Sequence, residues 1–136
     1  MDFTAYDELC AFTLSIGRGN FVHQHVVDAH AAQTATPAGK PIRIFFALVG
    51  LYLHLEHGFT GSEVQLAHMK LAGKRREWPE IELPSDRGSI TAADVLAVEG
   101  DDGRIAMIDD WCGSVWYQYG SQRDKIASAL RNAGII

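Results

Sequence analysis

From Ile42 to Leu55 the chain is apolar on almost every side, with only Arg43 breaking the run and His54 standing near its end. The stretch falls short of the roughly 20 residues that cross a bilayer, so protein rather than lipid is expected to bury it. Ile42, Phe45, Phe46, Val49 and Leu53 recur at helical spacing as one stripe, and Leu48, Leu51, Tyr52 and Leu55 widen it. A helix that is apolar all round has little solvent face to maintain and needs several neighbours. This segment is therefore the expected core axis, ended by Gly58.

The flanking sequence supplies those neighbours. Thr4 with Asp7 reads as a weak capping box, and Tyr6, Leu9, Cys10 and Thr13 then share a face before Gly17. Phe21 to Gln33 places Val26, Val27 and His30 on one side, and Ala29, Ala31 and Ala32 favour helix over strand. Thr34, Thr36, Pro37, Gly39 and Pro41 mark a loop. Thr60 with Glu63 opens a further helix through Val64, Ala67, His68 and Leu71, with Gly73 as its stop.

Pro79, Pro84, Asp86 and Gly88 then predict a surface crossing from Glu77 to Ser89, tacked down by Trp78, Ile81 and Leu83. Thr91 and Asp94 repeat the weaker cap, with Ile90 and Val95 as a hydrophobic staple, for a short helix through about Val98. Glu99 to Gly103 reads as an acidic, flexible connection without the ligand set of a calcium loop. Ile105, Ile108, Trp111, Cys112, Val115, Trp116 and Tyr119 follow helical spacing, and Ser121 with Asp124 starts a last helix ending near Gly134. The expectation is an all-α fold, a compact bundle-like array of five or six short helices around a central apolar one.

At 136 residues, residues 1–136 fit a single helical domain with one hydrophobic core. The formal charge of -5 opposes diffuse attraction to phosphates, so no nucleic acid is expected as a partner. Lys70, Lys74, Arg75 and Arg76 form the one basic stretch and read as a solvated helix end. Cys10 and Cys112 lack disulfide-scaffold or metal spacing and read as reduced core residues. No membrane association is expected, the acidic start lacks the positive flank of a secretory signal, and a cytoplasmic location follows by elimination.

Five of the six histidines lie in or beside the predicted core elements. His23, Asp28, His54 and His57, with His30 and His68 nearby, would supply imidazoles and a carboxylate on neighbouring helices for a Zn, Mn or Fe centre with an open position to activate water. Against this, no H-E-x-x-H pattern occurs, and Glu56 projects about 100° away from its neighbour His57. The competing reading is histidines satisfied by internal hydrogen bonds. Asp28 stands out because it interrupts the small, apolar run Val26 to Ala32, and an unpaired buried charge there would be expensive. Arg43, Arg104, a histidine or a tryptophan indole are its candidate partners. Asp109 and Asp110 read as a solvated edge with one pairing, and Ser114 lacks the G-x-S-x-G elbow of a serine hydrolase. Trp111, Trp116, Tyr117 and Tyr119 read as core wedges whose buried indole N–H groups need acceptors, with Asp28 or a backbone carbonyl available.

The run His23 to Gln33 resembles the H-x-x-x-V-D-A-Y-x-x-Q pattern of a widespread bacterial family of uncharacterised helical proteins. Leu51 to Gly58, Thr91 to Val95 and Trp111-Cys112-Gly113-Ser114-Val115-Trp116, with its W-x-x-S-V-W pattern, extend the resemblance from about Phe21 to Tyr119. His30 takes the usual Tyr position, and Thr34 and Ala35 replace a common His-Pro ending. The resemblance implies no reaction, cofactor or partner. It does imply that His23, Asp28, Gln33, Glu56, Trp111, Ser114 and Trp116 act as one cluster. Three function classes follow: a helical protein with a small polar-aromatic pocket for a small molecule, a metal-dependent hydrolase-like enzyme, and a homodimeric or protein-partner interaction module.

Overall fold

The computed structural model describes residues 3–17, 20–74 and 77–136. Among these residues there are seven α-helices and no strand: α1 Thr4–Ser15, α2 His23–Gln33, α3 Pro41–His57, α4 Gly61–Lys74, α5 Ala92–Leu96, α6 Asp101–Gln118 and α7 Arg123–Asn132, the last entered through a short 3₁₀ turn, Gly120–Gln122. The count exceeds the expected five or six by one, each segment read as helical, the short α5 included, standing as a helix of its own.

The apolar segment is the core axis. α3 contacts α2, α4, α6 and α7, and every residue from Ala47 to Leu53 is buried. Pro41 occupies its first turn, where a missing N–H costs nothing, and Gly58 ends it in the left-handed conformation at φ 70°. α2 lies between α3 and α6, with α1 and α4 also against it. Its alanines Ala29 and Ala32 are fully buried, the small side chains through which neighbouring backbones approach. Buried residues of all seven helices join one apolar cluster, with Trp111, Tyr119 and Phe45 the largest side chains wholly inside it.

The capping box read at Thr60–Glu63 and the weaker one at Thr91–Asp94 both operate. Thr60 and Glu63 exchange reciprocal bonds of 3.0 and 3.2 Å, and Thr91 and Asp94 do the same at 2.9 and 3.4 Å. Four local expectations do not hold. Ser121 lies within the 3₁₀ turn and Gln122 precedes α7 without a side-chain cap bond, so the Ser121–Asp124 cap is absent. Phe3, not Thr4, occupies the cap position of α1, and its side chain makes no cap bond. Gly73 lies inside α4, which runs on to Lys74. Asp101 and Asp102, expected in a flexible connection, form the first turn of α6, where carboxylates favour the positive end of the helix dipole. Of the basic stretch, Lys74 and Lys70 donate to the carbonyls of Ala133 and Gly134 just beyond α7, whereas Arg75 and Arg76 lie outside the described residues. Cys10 and Cys112 are free thiols. No helix among the described residues is long and apolar enough to cross a membrane.

Candidate functional site

The seven residues singled out by the resemblance do not form one cluster. They divide into two interhelical anchors and two separate side chains, because helical phase sets each direction but not which helices meet. In the first anchor, Gln33 at the end of α2 accepts the Trp111 indole N–H at 3.1 Å and donates to the carbonyls of Ile90 at 2.7 Å and Arg87 at 3.3 Å. Ser114 donates to the Trp111 carbonyl at 2.9 Å, and Gly88, at φ 93°, rests against Ser114 where a side chain would collide. The Arg87 guanidinium reaches back to the carbonyls of Ala32, Gln33 and Ala35 at the end of α2, where helix carbonyls run out of intrahelical donors, and the Tyr119 hydroxyl also donates to Ala32 at 2.6 Å. This group fastens the crossing segment 77–90 to α2 and α6.

In the second anchor, Glu56 accepts the Trp116 indole N–H at 2.8 Å and is held by the Arg123 guanidinium at 2.7 Å. The indole acceptors are thus Gln33 and Glu56, neither Asp28 nor a backbone carbonyl. Trp116 lies edge-on to Tyr52, whose hydroxyl bonds His57 at 3.0 Å.

His23 bonds Thr13 at 2.9 Å. His54 bonds Asp109 at 2.7 Å and the Phe59 carbonyl at 3.0 Å, and its ring stacks on His25 at 3.5 Å. Burial would lower the His54 pKa, but the Asp109 carboxylate and the Phe59 carbonyl raise it overall, while burial and the adjacent His54 push His25 down to about 4. His54 therefore carries the charge of the stacked pair. His23, Asp28, His54 and His57 each engage a different partner, and no three His, Cys, Asp or Glu among the described residues are grouped as a metal ion requires.

Asp28 is the exception to this pattern of satisfied groups. Its carboxyl is 3% exposed and accepts one bond, from Gln24 Nε2 at 3.0 Å, one turn earlier on α2. Oδ2 is the buried side-chain polar atom left without a hydrogen bond among the described residues. It lies where a Cβ on residue 50 would stand, so the glycine at that point of α3 makes room for the carboxyl. Neither expected arginine bonds it. Arg104 turns to the Leu96 and Val98 carbonyls.

Asp28 also forms part of the wall of a cavity of about 350 Å³ between α1, α2, α3 and α4. Its polar lining comprises Asp28, Gln24, Tyr6, Arg43 and His68. Phe46, Val27, Ala31, Ile42 and Ala47 supply the apolar surface. His68 Nε2 lies 2.8 Å from the Phe46 carbonyl, which can only accept, so Nε2 carries the hydrogen and Nδ1 of the neutral ring is an acceptor. Burial keeps that ring neutral by lowering its pKa. A larger depression of about 570 Å³ beside Trp78 is lined mostly by loop residues, with Pro41 and Ile44 from α3, and contains no buried polar group, so it offers less to fix a ligand's orientation. The polar-aromatic pocket thus shares only Asp28 with the predicted cluster, and its aromatic wall is Phe46 and Tyr6 rather than Trp111 and Trp116.

Burial raises the Asp28 pKa well above the ordinary carboxylate value, opposed only in part by the Gln24 amide. A folded pKa above the unfolded one gives stability that is present at acid pH and lost as pH rises through the folded value. Asp28→Asn stays neutral throughout. It is expected to match the parent in acid and to exceed it as pH rises beyond about 4, by at most about 1.4 kcal/mol per pH unit up to the folded pKa. Urea midpoints across that range check this. A constant difference would mean that the carboxyl ionises equally in both states.

Neither a curated protein nor a solved structure matches the chain. A family model, described as a family of unknown function, matches residues 3–120, the span that carries the cavity, the first anchor, and the Glu56–Trp116 pair of the second but not its Arg123. The chain therefore belongs to that family, DUF5946.

Proposed function

We propose that this chain is a small-molecule-binding protein whose ligand presents a basic nitrogen to Asp28 in the cavity between α1, α2, α3 and α4. The observation that carries the reading is a buried carboxyl that lines a cavity and whose Oδ2, packed against Gly50, has no hydrogen-bond partner, so that a small rotation of the carboxyl would offer it to a ligand. Polar groups buried without a partner cost about 1–3 kcal/mol, and a donor arriving from a ligand recovers that cost. His68 Nδ1 and the unshared oxygen of Gln24 are further acceptors on the same lining, and Phe46 and Tyr6 offer ring faces that attract cations. A metal-dependent hydrolase has less support, since its four candidate ligands are engaged separately.

The pH behaviour of binding has a definite sign. The groups lining or acting on the site are Tyr6 from α1, Arg43 from α3, His68 from α4 and Cys112 from α6, and burial raises the Asp28 pKa in the empty cavity. A cationic amine stabilises the carboxylate, so binding releases a proton and tightens as pH rises, until the amine itself deprotonates. Titration calorimetry with isopentylamine and phenethylamine, in two buffers of different ionisation enthalpy, is expected to show proton release and loss of binding in Asp28→Asn. Binding that is absent, or unchanged by that substitution, overturns the reading.

A further inference from the structure

The cavity is not uniform in charge. Its acceptors, Asp28, His68 Nδ1 and Gln24, lie on buried or half-buried residues, while Arg43 is an exposed residue of the same lining. The Arg43 guanidinium makes no hydrogen bond or ion pair among the described residues, although its field reaches Tyr6 and His30. Of the other described arginines, Arg87 and Arg104 sit on helix-end carbonyls and Arg123 on Glu56, while Arg131 lies on α7 away from this lining. One cavity thus has an incompletely bonded carboxyl in its wall, with Oδ2 packed against Gly50, and an unpartnered planar cation at its rim.

Resting on the reading of Asp28 above, we infer that the ligand class is amphoteric: a small amino acid with its ammonium group at Asp28 and its carboxylate at Arg43. The two groups are complementary in sign and in hydrogen-bonding role, and a guanidinium binds a carboxylate through two parallel N–H donors. Val27, Ala31, Ile42 and Ala47 line the remaining surface with small and branched apolar groups, which selects a hydrophobic side chain. A volume of about 350 Å³ sits at the small end of the ~300–1,000 Å³ typical of ligand sites, which favours a free amino acid over a peptide.

The test compares leucine and phenylalanine with isopentylamine and phenethylamine, which lack the carboxylate, and with leucinamide and leucyl-glycine, which move or mask it. The probes are titrated into the parent chain, Arg43→Gln and Asp28→Asn, with helical content checked by circular dichroism. The amino acids are expected to bind about fivefold or more tightly than the matching amines, the gain from one partly exposed charged pair. Arg43→Gln should erase that preference, with amine binding no weaker than in the parent because a neighbouring like charge is removed, and Asp28→Asn should weaken every probe. Amine and amino acid of equal affinity, or a preference that survives Arg43→Gln, overturns the amphoteric assignment while leaving the Asp28 reading intact. Tighter binding of leucyl-glycine than of leucine replaces the free amino acid with a peptide terminus. Failure of every probe, or indifference to Asp28→Asn, removes both readings together.

Discussion

Gly50→Ala is expected to destabilise the fold by about 2–4 kcal/mol, and removal of the Asp28 carboxyl in the same chain should restore most of the loss. On an exposed helix the same change would stabilise by up to about 1 kcal/mol, because alanine is the better helix former, so the expected sign is diagnostic. The reversal comes from position. A Cβ at residue 50 would overlap Oδ2 and Cγ of Asp28, and both residues are buried between α2 and α3. The carboxyl would have to rotate away from Gln24, or the two helices separate and thin the packing of Val26 and Leu53. Asp28→Ala relieves the overlap. A double-mutant cycle by urea unfolding should therefore give a coupling of about 2 kcal/mol or more, within the range for residues in direct contact. Coupling under about 0.5 kcal/mol, or a stabilised Gly50→Ala chain, would mean that the carboxyl points elsewhere.

What could be read from the sequence was what local chemistry decides. Thr60–Glu63 and Thr91–Asp94 are capping pairs three residues apart, and their bonds need no tertiary context. The run Ile42 to Leu55 is apolar on too many sides for any position but the centre, and α3 is there. Asp28 was legible as a carboxylate out of place among small apolar residues, and its Gln24 partner was available as a helical neighbour four residues earlier. Gly50 and Phe46 were not legible as its surroundings, and Arg43, expected as a bonding partner, shares only the cavity lining with it, because periodicity says which way a side chain leaves its own helix and not what it meets. The same limit explains why Gln33, Trp111 and Ser114 form one anchor while Glu56 and Trp116 form another. Asp101 and Asp102 misled for a different reason: acidic residues beside glycine suggest a loop by composition, whereas at a helix start their charge supports the first turn.

Trp111→Ala should be the most damaging truncation in the chain, at about 3–5 kcal/mol, enough to populate unfolded molecules in a domain with an ordinary stability of ~5–15 kcal/mol. The indole is wholly buried in α6, so alanine leaves a void among Ile108, Val115 and the α2 side chains. It also strands Gln33 Oε1, whose amide holds the carbonyls of Arg87 and Ile90. Trp111→Phe keeps most of the apolar volume and isolates the lost hydrogen bond, for which about 1–2 kcal/mol is expected. Amide exchange in that variant should quicken first across residues 77–90, the segment this bond helps fasten, and later in α3. The pair of variants separates an anchor from a binding residue. Trp111 does not line the Asp28 cavity, so amine affinity in Trp111→Phe should equal that of the parent even as stability falls. If affinity falls while stability holds, the residues of the family pattern meet the ligand themselves and the cavity between α1, α2, α3 and α4 is not the site.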